Sequence, residues 1–156
     1  MSVIHSIFPR GRQAGTTTVE FAICGAVLIT MILAVIELSR AMFMLSVLKE
    51  GVRRGARTAA VCPINDPAIA STATFATLPG LSSSNVVVEY LNSNGAVIGN
   101  PGANFGLIDY VRVRLVNYQI QLWIPFMSAA FPAPGFTVTL PRESLGVPRT
   151  GVVSPC

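Results

Sequence analysis

Apolar and polar positions alternate differently along this chain, and the changes of rhythm mark its parts. From Phe21 to Ile36 sixteen consecutive residues carry no charge, slightly short of the about twenty residues that a helix needs to cross a bilayer. Glu37 and Arg40 interrupt the run, and Ala41 to Leu48 is predominantly apolar again. Residues three apart share a helix face, so Glu37 and Arg40 can neutralise each other as an ion pair at the membrane surface. The pattern therefore predicts one continuous helix. At about 1.5 Å per residue, Phe21 to Leu48 covers about 42 Å, enough to cross with the far end in the interface. A polar extension follows through Lys49, Glu50, Arg53, Arg54 and Arg57, weakened at Gly51 and Gly55 and ending before Cys62 and Pro63.

After Pro63 the rhythm changes. Ala70 to Asn85 is rich in small and polar residues and reads as a linker. Val86 to Leu91 reads as a strand, Asn92 to Gly95 as a turn whose Asn-Gly supplies positive backbone angles, and Ala96 to Ile98 as the returning strand. Leu107 to Gln121 carries the clearest strand signal. There Val111, Val113 and Leu115 alternate with Tyr110, Arg112 and Arg114, giving one apolar and one polar face. Phe136 to Leu140 is a shorter candidate strand, with Trp123 to Pro134 expected as an apolar loop or helical turn. Trp123 and Phe126 read first as core packing and second as a subunit-contact patch. So small a sheet must cover its apolar face, and the outer half of the long helix is the nearest partner. The expected fold is α+β, a long N-terminal transmembrane helix with a small antiparallel sheet packed on its outer half.

Composition agrees with an anchor. The 156 residues are 51% hydrophobic and only 12% charged, which leaves room for one small extramembrane domain beside the helix. The net charge of +4 comes largely from residues flanking the apolar run and lacks interleaved aromatics, which argues against nucleic acid as a partner. Scattered acids, a single His (His5) and the absence of a glycine-rich phosphate loop leave no catalytic set, no cofactor or metal site and no small-molecule substrate. Cys24 lies within the apolar run as a small hydrophobe. Cys62 and Cys156 remain. In an oxidising compartment they can close a disulfide around the outer domain; in a reducing one they are two free thiols.

One carboxylate stands out, because Glu20 directly precedes the apolar run, where an ionisable group carries a large penalty unless it has a function. Five residues before it, Gly15 ends a short stretch with Arg10, Arg12 and no acid. In a secretory signal the small residue follows the apolar region, whereas here it precedes it, so cleavage after Gly15 would leave the anchor on the mature chain. Glycine also leaves the backbone unobstructed in a protease cleft.

Gly15 with Glu20 and Phe21, the stretch Ile36 to Arg40, and Arg53 to Ala60 together resemble the TadE-like pseudopilins of the tight-adherence (Flp, type IVc) pilus machinery. Arg142 to Gly146 is a looser likeness. The resemblance implies a pilin-like fold, a leader over residues 1–15, a transmembrane and extended helix over 16–61, and a β-rich extracytoplasmic domain over 62–156. It implies removal of the leader between Gly15 and Thr16 by a prepilin peptidase. Glu20 would then be the assembly carboxylate, meeting the terminal amine of a neighbouring subunit. Implied partners are the bacterial inner membrane, that peptidase, other pilins or pseudopilins and the pilus assembly platform, with the C-terminal domain in the periplasm. The count of flanking positive charges points the other way, slightly favouring a cytoplasmic C-terminus. Two alternatives stay open: a membrane-tethered periplasmic binding or adhesin domain, and a minor pseudopilin of a related type II secretion system.

Overall fold

The computed structural model describes residues 14–75, 78–124, 127–147 and 156. Helix α1 (Ala14–Val61) is continuous, as the apolar pattern predicts, and ends immediately before Cys62 and Pro63. The chain divides into two compact units, Met1–Leu38 and Ser39–Cys156.

In the second unit, α1 buries Met44, Leu48, Val52, Ala56 and Ala59, spaced four, four, four and three residues apart along one face. Against them lie Tyr90 of β1 (Val86–Leu91) and Val111, Val113 and Leu115 of β2 (Tyr110–Leu115). The expected sheet-on-helix packing holds, and β2 has the apolar and polar faces its alternation predicts. β2 is central, pairing antiparallel with β1 on one side and with β5 (Thr137–Pro141) on the other.

Four expectations need correction. Leu107 to Gln121 is not one strand: β2 stops at Leu115, Asn117 turns the chain with φ 53°, and β3 (Gln119–Ile124) starts afresh. The corner is held from a distance, because buried Asn85 donates from Nδ2 to the carbonyls of Val116 (3.2 Å) and Asn117 (3.3 Å). Asparagine tolerates the left-handed conformation that this corner uses. Second, Trp123 to Pro134 is neither loop nor helical turn in its described part. β3 and β4 (Met127–Pro132) form a separate antiparallel hairpin, with Ile120 facing Phe131 across it and buried in the core.

Third, the linker is partly helical. α2 (Pro67–Ala73) begins at Asp66, whose Oδ1 accepts from the Ala68 N–H at 2.8 Å, with proline in the first helical position. A 3-10 turn, Ser83–Asn85, leads into β1. Fourth, the turn after β1 returns through one bridge, Leu91 to Val97, rather than a strand, and only Gly95 of the Asn-Gly pair has positive φ.

The end of α1 is closed by residues far away in sequence. The N–H of Glu143 donates to the Ala60 carbonyl at 3.0 Å, and the Gly146 N–H (2.6 Å) and Ser144 hydroxyl (3.0 Å) donate to that of Val61. The last turn of a helix leaves such carbonyls without intrahelical donors. Arg142 to Gly146, familiar from the resemblance, thus serves as a helix cap. Gly146 has φ 78°, and a Cβ there would meet Pro63 Cγ at 2.5 Å.

Candidate membrane segment and assembly site

Within the first unit, α1 displays the apolar run on all sides. Phe21, Ile23, Leu28, Met31 and Val35 are each more than half exposed. The most apolar 18-residue window of α1 has a mean hydropathy of 2.6, and none of it is buried in the protein. A helix apolar all round and, among the described residues, uncovered by its own chain fits a single membrane span.

Gly15, Thr16 and Glu20 all lie in the first turns of α1 and are exposed. Thr16 and Glu20 are four residues apart and so share a face. A Cβ on Gly15 would meet nothing within 4 Å. Among the described residues, then, no packing requires glycine there. The rest of the leader, 1–13 with His5, Arg10 and Arg12, lies outside the described residues.

At the start of the second unit, half-buried Arg40 meets β3. Its Nη2 donates to the Gln121 carbonyl, Nη1 lies 3.4 Å from Met44 Sδ, and the guanidinium sits over the Trp123 ring at 5.1 Å from the centroid. Sequence reasoning missed this cluster, since nothing local joins residue 40 to residue 123. The expected partner of Arg40, Glu37, belongs to the first unit. Trp123 itself is 73% exposed, so its expectation as core packing gives way to the surface alternative. Phe126 lies outside the described residues.

The basic stretch beyond Lys49 is exposed along Arg53, Arg54 and Arg57. Arg54 bonds Glu50 at 2.9 Å and stacks over Phe75 at 4.2 Å. The side chain of Arg54 holds the Glu50 carboxyl below its ordinary range. Arg112 and Arg114 stand on the wet side of β2, as expected, and there both grip one carboxylate: Glu89 lies 2.7 and 2.8 Å from their guanidinium nitrogens. Cys62 and Cys156 are joined by a disulfide, and Cys24 is a free thiol exposed on α1. Among the described residues, no group of three His, Cys, Asp or Glu side chains is placed to hold a metal ion.

An apolar helix whose continuation carries a small α+β unit fits a protein anchored in a membrane by a single pass. The model of the TadE-like protein family matches residues 15–57, so the resemblance holds over that segment, from Gly15 to the last basic residue of α1. The sheet lies beyond it. Neither the curated proteins nor the solved structures hold a match to this chain.

Proposed function

We propose that this chain is a minor pseudopilin acting in assembly of Tad (Flp, type IVc) pili for adherence. The observation that carries the reading is the TadE-like match itself, which opens at Gly15, the residue proposed to precede the cut. Prepilin peptidase removes the leader between Gly15 and Thr16. Both residues lie in the first turn of α1, and among the described residues nothing packs against Gly15. Helix ends fray at little cost, so the peptide can extend into a protease cleft. Cleavage exposes an amine with a reference pKa of about 7.7 to 8.0, largely cationic at neutral pH. In lipid, pairing that amine with the Glu20 carboxylate of a neighbouring subunit is favoured, because either charge alone is penalised. Glu37 and Arg40 form the ion pair at the membrane surface.

The outer domain lies in the periplasm in this reading, an oxidising compartment where the Cys62–Cys156 bond persists. A reporter fused after Cys156 tests the orientation: activity confined to the cytoplasm would overturn it. The role is structural, with other pilins and the assembly platform as partners, and requires no cofactor.

Mass spectrometry of the membrane-derived protein is expected to find a chain beginning at Thr16. A chain still beginning at Met1 in cells that possess the peptidase would sink the processing step. Gly15→Leu is expected to leave insertion and helix content unchanged while abolishing cleavage. Glu20→Ala is expected to be cleaved normally but to lose piliation, and normal pili from that variant would refute the amine pairing.

A further inference from the structure

From Leu115 to Pro141 the chain has no acidic or basic side chain, twenty-seven residues that include both strands of the β3–β4 hairpin. An isolated two-stranded hairpin in water is ordinarily guarded by charges, lysine above all, against edge-to-edge association. This one instead presents Trp123, the only tryptophan and the most exposed large apolar side chain described in the second unit. The ring is held in place by Arg40, through the stacked guanidinium and the bond from Arg40 to the Gln121 carbonyl. Arg40 follows Ile36, the end of the apolar run, by four residues of sequence. Met42 and Phe43, next along α1, are exposed at 59% and 64%.

We propose that the face carrying Trp123 and Arg40 docks on the phospholipid headgroup layer of the membrane that α1 enters, a contact that rests on reading α1 as an anchor. Tryptophan has an apolar body and one N–H donor, and collects where hydrocarbon gives way to headgroups. Arginine beside it buries its stem along apolar surface and keeps its polar head at the level of the headgroups. A charge-free hairpin meets no desolvation penalty for charged groups on approaching that layer. The outer domain is thereby held against the bilayer at a second place, besides the helix that tethers it.

The single tryptophan is its own probe. The full chain is reconstituted into phosphatidylethanolamine–phosphatidylglycerol vesicles and floated on a density gradient. Trp123 emission is then followed with lipids brominated either near the headgroup or near the chain end. The expected result is co-flotation, emission blue-shifted relative to the denatured chain, and stronger quenching by the shallow bromine than by the deep one. A floated chain whose tryptophan emits as in water, unquenched by either lipid, overturns the docking and leaves the anchor standing. Blue-shifted emission without bromolipid quenching also overturns it, and assigns the face to contact between protein copies. A chain that fails to float removes the anchor and the docking together.

Discussion

Gly51 and Gly55 face Ala73, the last residue of α2. A Cβ on Gly51 would stand 2.3 Å from the Ala73 carbonyl oxygen, and one on Gly55 2.7 Å from the Ala73 Cβ. Read locally they are weak points in a helix; in the fold they are the clearance that lets α2 approach. Gly51→Ala is therefore expected to destabilise by about 1 to 3 kcal/mol despite alanine's better helix propensity, by chemical denaturation in detergent followed by circular dichroism. Gly25→Ala, with nothing within 4 Å, is expected to be neutral or slightly stabilising. Two tyrosines set a pH limit at the same scale. Tyr90 accepts from the Asn65 N–H at 2.9 Å and Tyr118 donates to the Pro79 carbonyl at 3.0 Å, and burial pushes both hydroxyls above their ordinary value of 10.0. The folded values exceed the unfolded ones, so this stability is complete below pH of about 10 and is lost as pH rises through the folded values. Alkaline titration of unfolding should show a falling limb there, flattened when both tyrosines are replaced by phenylalanine.

At the scale of elements, β1 and β2 share an outer-face clamp. Glu89 stands opposite Arg112 in the register and also reaches Arg114 on the same strand. Cross-strand charge pairs are worth about 0.2 to 1 kcal/mol each, so Glu89→Ala is expected to lower stability by about 1 kcal/mol, measured by denaturant midpoint. Salt should reduce the difference between the two proteins, since both arginines are partly exposed. The alternation of β2 was legible because one strand's two faces meet different surroundings. Its end was marked only by a slip of one residue, as the apolar positions pass from Val111, Val113 and Leu115 to Val116, Tyr118 and Ile120, which a reading for apolar content alone passes over. What breaks it is Asn85, thirty-one residues before Val116, offering its amide to the corner. The start of α2 was legible in principle, since Asp66 followed by Pro67 is a helix-opening pair, but the small residues after it masked the signal.

Over the whole molecule, the Cys62–Cys156 bond ties the end of α1 to the last residue, across a sequence separation of 94. Constraining so long a segment in the unfolded chain stabilises by about 4 to 5 kcal/mol in the chain-entropy account. Cys62→Ser with Cys156→Ser is accordingly expected to lower the unfolding temperature of the detergent-solubilised chain markedly, while its insertion into membrane fractions is unchanged. Equal unfolding temperatures would show that the capping bonds from 143–146 to Ala60 and Val61 suffice alone. The sequence by itself determined the continuous helix, its apolar span, its stop before Pro63, and an α+β layout with the sheet against the outer half. Those are properties of local periodicity and of the need to cover an apolar face, and they survive without knowledge of distant contacts. Only the tertiary structure decided where β2 breaks, that β3 and β4 form a hairpin, what caps α1, and that Arg40 meets Trp123. The corner, the cap and the Arg40 contact depend on a hydrogen bond or stack between residues tens of positions apart, whose partners no spacing along the chain names; the hairpin pairs near neighbours, from Gln119 with Pro132 to Ile124 with Met127, in a stretch whose apolar content fits loop, helix or strand alike.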